Sequence, residues 1–559
     1  MTIIIQSSGL VLDLSLDIKL SIETTSPIFG TAGSMSLPVS LPLTDNNRRA
    51  LNFPDRLDIY DSTEQAIRAI PDTTVIVTQG SWQQIATLSV SSCSQTTIES
   101  TLYFNESNLW SRIEDMTLPQ ALAGLHYGNI PPSAGDIASY RQQLYQALNT
   151  DLASYPDIID PREEDGSYGE CTYEEWETMY EQRKTWFKTR EFVIAPVYTE
   201  DGWLNSMIST LVPYLRQTTD YLYITAFLRL DYVLHRIFEQ AGYSLTIDFD
   251  TLPDNEVSTF FEAQWHSICV LNNTMDALYP GCLYYSALVP DIPVKEFLQA
   301  VQAQFGCAFV YQPGNTYKLV FYQTVLSNYS GRLLESYGNL QIAFNSHPDY
   351  VPSDCMESIS ALTVQRIKMP TLSESNDWYS GHDSREAYPK INAVTLEGVC
   401  QRTTTTVTDG EDDTKEKKCP LAFVNMDMTI LYHTYYDQQE HPHEETGFYA
   451  CLRNPYFEYY DDEYAQGHFD QREMQQLRYF GTEEGSLFQF LNNAYNIIAE
   501  HCDLVTVTTM LTTTELANFD FTKPYIIQGR LCWPAKLQFE LENSDEQHVT
   551  IEFIAGRKL

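Results

Sequence analysis

The chain has 559 residues, too many for a single hydrophobic core and enough for about three or four domains. Its 75 acidic residues outnumber 34 basic ones, and the resulting formal charge of -41 argues against binding nucleic acid or an anionic membrane surface by bulk electrostatics. Eleven cysteines are spread singly from Cys93 to Cys532 without a C-x-x-C, so they read as reduced core thiols rather than a disulfide framework or a structural zinc site.

The first residues, Met1 to Gly9, lack a basic region and hold only a short apolar run at Ile3 to Ile5, so no secretory signal is expected. No window has the apolar length of a membrane span, and a cytosolic product is expected. The thirteen residues Leu10 to Ile22 alternate strictly: Leu10, Leu12, Leu14, Leu16, Ile18, Leu20 and Ile22 share one face, which predicts one long strand suited to a barrel wall. A glycine-rich loop, Phe29 to Ser34, leads to a second alternating run, Ser36 to Pro42. A short polar helix is expected over Thr44 to Arg49, with Thr44 as N-cap and Pro54 as the stop.

Further strands are expected at Thr73 to Thr78, after a Gly80 turn at Gln84 to Val90, and at Thr97 to Phe104. Short helical pieces are expected at Leu109-Trp110 and Leu118 to Leu125. Residues 128–205 carry 15 acidic and 6 basic residues, a net of -9, with a polar helix near Tyr173 to Arg190; lacking alternation, they read as an acidic insertion on the outside of the fold. Phe227, Leu230, Val233, Leu234, Ile237, Phe238 and Ala241 then follow the helical period, Gly242 closes the helix, and Tyr243 to Phe249 is a strand.

The same helix-glycine-strand order returns with Val294, Phe297, Leu298, Val301 and Phe305, then Gly306, the strand Cys307 to Tyr311, a turn at Gln312 to Asn315 and a strand at Tyr317 to Tyr322. Thr403 to Lys418 reads as a solvated hairpin tip or loop, and residues 434–473, with 10 acidic and 2 basic residues, as a second exposed insertion. Tyr525 to Trp533 around Gly529, then Leu537, Phe539 and Leu541, then Val549, Ile551 and Phe553 form a terminal antiparallel meander.

The sequence contains no P-loop, G-x-S-x-G, H-E-x-x-H or G-x-G-x-x-G motif. His433, His441 and His443 with Glu444 and Glu445 are the best metal candidates, but Pro442 separates the two spaced histidines in a polar loop, and a solvated loop is the reading preferred. Asp409 to Glu416 misses the calcium-loop spacing. The carboxylate pairs Asp248/Asp250 and Asp461/Asp462 have the residue types a glycosidase needs, yet such pairs arise by chance in so acidic a chain. No catalytic, cofactor-binding or metal residue is therefore assigned, no cofactor is expected, and the chain is read as not an enzyme.

Ser36, Val39, Leu41, Pro42, Thr44, Asn46 or Asn47, Leu51, Phe53 and Pro54 resemble the N-terminal pattern of structural proteins encoded by phages and prophages of Bacteroidetes. Thr101 to Phe104 with Leu109-Trp110 adds to that likeness. The unit Val289 to Leu298 with Phe305-Gly306 is similar to a helix of tail hub, or baseplate hub, proteins, and the closing Tyr525 to Trp533 strand and meander look alike too. The resemblance touches about half the chain and leaves residues 128–205 and about 370–515 uncovered.

It implies an α+β, predominantly β, multidomain fold with tail-tube-like antiparallel β-barrels, small helix-strand units and exposed insertions. The expected division is an N-terminal β-barrel domain at 1–127, an acidic insertion at 128–205, an α+β domain at 206–330 and a β-rich domain at 331–559 with a long acidic insertion. It implies a structural virion protein, a hub that caps and organises the distal tail tube. Expected partners are further copies in a homo-oligomeric ring, expected as a trimer, together with tail tube, tape-measure and spike or fibre proteins. Sequence-specific nucleic-acid binding is not expected, and the location is the virion tail, assembled in the host cytoplasm. The alternatives are the hub of a non-viral contractile injection system and, in another class, a glycan-binding or glycan-hydrolysing surface protein.

Overall fold

The computed structural model describes residues 1–15, 19–29, 36–56, 60–61, 66–67, 72–104, 109–110, 112–113, 115–155, 173–194, 197–199, 202–205, 224–249, 262, 265–272, 274, 277–312, 315–327, 330–334, 337–344, 393–394, 399–408, 411–418, 421–425, 449–450, 502–541 and 544–556. The chain divides into two compact units. The first is made of residues 1–115, 306–357 and 492–559, and the second of residues 116–305 and 358–491.

In the first unit the alternating runs become strands, because period-two patterning buries one face of each. Its first sheet contains β1 (Thr2–Ile5), β3 (Ser36–Pro42), β4 (Thr73–Gln79), β5 (Trp82–Cys93) and β6 (Thr97–Phe104), antiparallel in the order β1-β4-β5-β6-β3. Strand β2 (Leu20–Thr25) belongs to the second sheet. There it pairs antiparallel with β13 (Arg530–Leu541), so that Leu20 faces Leu541 across the whole length of the chain.

The remaining strands of this unit are β7 (Cys307–Gln312), β8 (Thr316–Phe321), β9 (Arg332–Leu333), β10 (Leu340–Ala343), β11 (Cys502–Thr512), β12 (Tyr525–Ile527) and β14 (Glu546–Gly556). The second sheet runs β9-β12-β13-β14-β11-β10. Its β12–β13 turn is the two-residue loop Gln528-Gly529, with φ of 50° and 81°, the pair of left-handed residues that a type I′ hairpin needs.

The two sheets share one core. Val39, Leu41, Val75, Val77, Leu88, Ile98 and Leu102 from the first meet Leu20, Ile22, Leu537, Phe539, Val549, Ile551 and Phe553 from the second. Trp82 stands edge-on to both Phe104 and Phe539, at 6.0 and 6.2 Å between ring centres. The opposite face of the second sheet carries Trp533, Ala535 and Ile554, covered by Ala308, Val310 and Val320 of the β7–β8 hairpin and by Val325 and Leu326. Trp533 Nε1 there donates to the Val325 carbonyl at 3.2 Å.

Two expectations change in this unit. Among the described residues the sheets are open: β1 and β3 are the outer strands of the first, so it is a wall rather than a closed barrel. The expected strand Leu10 to Ile22 is also broken, since only Leu20 to Ile22 lie within β2 while Val11 makes a single bridge to Ile4. Leu12, Leu20 and Ile22 do face the core, but Leu10 is 42% exposed. Downstream, β8 ends at Phe321 and Tyr322 starts a short helix, Tyr322–Leu326, one residue before the expected strand end.

The second unit has more helix. It contains α2 (Ile137–Leu152), α3 (Tyr173–Lys188), α4 (Leu230–Gln240) and α5 (Val294–Phe305), after the short α1 (Asp45–Ala50) of the first unit. Stretches 128–155 and 173–194 are not merely an exposed insertion: α2 buries Leu144, Tyr145, Leu148 and Leu152, while Trp186 and Phe187 of α3 are buried beside Tyr155. α4 ends in a Schellman turn, with the Tyr243 amide reaching the Phe238 carbonyl at 2.8 Å and Gly242 in the left-handed region at φ 84°. Short strand pairs complete the unit, among them Ile268–Val270 with Leu421–Asn425 and the hairpin Val399–Thr408 with Glu411–Lys418. No helix among the described residues is long and apolar enough to cross a membrane.

Candidate functional site

Two polar clusters stand out from the apolar packing, one in each unit. In the first unit, the T-x-x-N spacing of Thr44 and Asn47 puts both at the start of α1. Thr44 is the N-cap, with its hydroxyl accepting from the Asn47 amide at 3.1 Å and donating to Asp13 Oδ2 at 2.6 Å. The Asn47 side chain is wholly buried: its Nδ2 donates to the Asp13 and Pro42 carbonyls, both at 2.9 Å, and its Oδ1 accepts from the Asp13 amide at 2.8 Å. Asn46 Nδ2 reaches the Val11 carbonyl at 2.7 Å.

Leu10 to Leu12 still bond to β1, but the Asp13 backbone bonds to the Asn47 side chain rather than to a strand, and the long strand stops there. α1 closes without glycine: Asn52 and Phe53 are both left-handed, at φ 59° and 56°, and the Phe53 amide reaches the Arg48 carbonyl at 2.6 Å. Between the two asparagines of the sequence pattern, Asn47 is the buried clamp and Asn46 an outer support. Each of Val39, Leu41, Thr44 and Asn47 thus maintains the fold, as core, cap or clamp.

In the second unit, Asp231 lies on the apolar stripe of α4, three residues before Leu234 and seven before Phe238, and is buried there. Burial pushes its carboxyl up, but the hydrogen bond with His266 and the Arg229 charge outweigh that and hold it below the usual carboxylate range. Arg229 approaches Asp231 Oδ1 at 2.8 Å, and His266 Nδ1 lies 3.0 Å from Oδ2. The same Arg229 caps the end of α3, its Nε donating to the Arg190 carbonyl and its Nη2 to that of Lys188 at 3.4 Å. Lys184 of α3 pairs with Glu262 at 2.8 Å.

His266 is buried, and burial lowers its affinity for a proton; the opposing pull of Asp231 does not reverse this. The neutral ring that donates Nδ1–H to Asp231 leaves Nε2 as an acceptor, and among the described residues Nε2 has no hydrogen-bond partner. A cavity of about 300 Å³ adjoins the pair, lined by Lys188, Asp231, His235, Ile247, Phe249, Glu262 and His266. Among the described residues that lining offers acids and bases but no hydroxyl or thiol nucleophile. Nearby Cys269 is buried, which drives its thiol pKa far up and makes it unreactive.

The candidates weighed from sequence fall mostly outside the described residues: His433, His441, His443, Glu444, Glu445, Asp250, Asp409, Asp461 and Asp462 all do. Asp248 is described and buried just after the strand Ser244–Ile247. Glu411 to Glu416 lie in a hairpin strand, extended rather than wrapped as a calcium loop. Among the described residues no three His, Cys, Asp or Glu side chains are grouped to hold a metal ion. Sequence reading missed Arg229, Asp231 and His266. The available signal was a carboxylate inside the apolar stripe of α4, which has to find a partner if it is buried.

No family model and no curated protein matches this chain. Among solved structures it is similar to the 43 kDa tail protein of prophage MuSo2 from Shewanella oneidensis, at 7% identity and a TM-score of 0.30, over 99% of this chain and 97% of that one. A score of that size sets the two chains side by side without assigning a shared fold.

Proposed function

We propose that this chain is a structural, non-enzymatic component of a phage-type tail, a hub or baseplate protein that closes the distal tube and joins it to spike or fibre proteins. One observation carries the reading. Two of the stretches that bear the family resemblance, Ser36 to Pro54 and Tyr525 onward through the terminal meander, fold on one core in the first unit, although they lie at opposite ends of the chain. A scattered chance likeness has no reason to converge in this way. Within that unit the resembling residues maintain the scaffold, as an assembly protein requires, and present no reactive group.

Under this reading the open sheets with outer strands are surfaces for neighbours, since an outer strand offers unpaired backbone groups to another chain. Mass measurement of the purified chain, together with its detection in tail particles, tests the proposal. A closed ring of copies that co-purifies with tails is expected. A monomer that binds or hydrolyses polysaccharide overturns it in favour of the glycan reading.

A further inference from the structure

His266 is the feature of the second unit that the assembly reading does not use. Its residue exposure is 6%, its Nδ1 is engaged by Asp231, and its Nε2 is buried with no hydrogen-bond partner among the described residues. A buried imidazole in that state is held neutral, because a second N–H would have nothing to donate to.

Among the described residues, the charged and titratable groups around it come from several elements, Glu181 of α3 included. Asp231 and the exposed His235 come from α4, Arg229 from the residue before α4, and Lys184 and Lys188 from α3. Glu262 comes from the chain just before His266, Cys269 lies in the strand after it, and Asp248 sits in sequence between the lining residues Ile247 and Phe249. Arg229, Lys184 and Lys188 are the cations of this surrounding, with Arg229 paired to Asp231, Lys184 to both Glu181 and Glu262, and Lys188 to Glu262. A proton on Nε2 would add a fourth cation at a buried point.

The same arginine that pairs with Asp231 holds the carbonyl of Lys188, the last residue of α3, and that of Arg190 just beyond it. Charge on His266 therefore competes with Arg229 for Asp231 and brings a like charge beside Arg229 and Lys188. We propose that the Asp231–His266 pair is an acid-sensitive latch: it secures the C-terminal end of α3 against α4 while Nε2 is unprotonated, and loosens that end when Nε2 takes up a proton. The device is independent of the tail assignment.

Hydrogen exchange followed by mass spectrometry on the full chain at pH 7.5 and pH 5.0, corrected for the intrinsic pH dependence of exchange, tests this. Peptides covering Tyr173–Lys188 are expected to exchange several-fold faster at pH 5.0, and His266→Gln is expected to abolish that difference while His235→Gln preserves it. Equal corrected exchange at both pH values in the unsubstituted chain, or an unchanged difference in His266→Gln, overturns the latch. Should His266→Gln fail to fold, the ¹³C titration of the His266 ring in the unsubstituted chain decides: a midpoint below that of a free imidazole supports the proposal, and one above it overturns it.

Discussion

The two polar clusters solve the same problem, burial of polar groups among apolar ones, with opposite chemistry. The Asn47 side chain is a neutral amide that bonds only to backbone, using both of its Nδ2 donors and its Oδ1. Asp231 instead faces the charged Arg229 on one oxygen and the neutral ring of His266 on the other, and among the described residues His266 Nε2 has no hydrogen-bond partner. In the first arrangement the side-chain bonds of Asn47 carry no titratable group, and they specify one path for the chain. The second is conditional, because its balance changes with a single proton.

The largest expected effect is at Asp231. Asp231→Asn keeps the shape but leaves Arg229 buried without its anion, and a loss of about 3–5 kcal/mol is expected in the exchange-derived stability of α4 amides. Asn47→Ala strands the Asp13 amide and two carbonyls, and should cost about 2–3 kcal/mol. That loss, read from exchange of the Leu12 and Asp13 amides and of β3, should be the same at pH 5 and pH 8.

Acid separates the two clusters more finely. The folded-state proton affinities of His266 and Asp231 are both lowered, so below the ordinary values of 6.5 and 3.8 the unfolded chain binds more protons than the folded one. Their stabilisation is thus fully present above those values and is lost as pH falls, first through His266 and then through Asp231. Melting of the second unit, followed by exchange of α4, should move down between pH 7 and pH 5, while the Asn47 clamp stays protected. The smallest effect is expected at the β12–β13 turn, where Gln528→Gly removes a non-glycine residue from φ 50° and should gain about 0.5 kcal/mol in chemical denaturation of the first unit.

Much of the local structure was legible. Thr97 to Phe104 forms its strand with the expected ends, Gly242 and Gly306 close the two amphipathic helices, and Leu537, Phe539, Leu541, Val549, Ile551 and Phe553 face inward as the alternation predicts. The Asp231 cluster was not legible, because His266 is 35 residues away and no local pattern joins it to α4. The packed stretch Ile137 to Leu152 was hidden too, since its overall charge and polarity outweighed the four residues that it buries.

By itself the sequence determined which face of each strand and helix turns inward, because period and side-chain type are local properties. Only the tertiary structure decided what covers those faces: β2 joins β13 across the length of the chain, both ends meet in one core, and Asn47 captures the backbone of Asp13 to break a strand that alternation alone would continue. Each of these is a choice of partner. Partner choice depends on which distant group satisfies a buried bond or surface, and no residue carries that in its own periodicity.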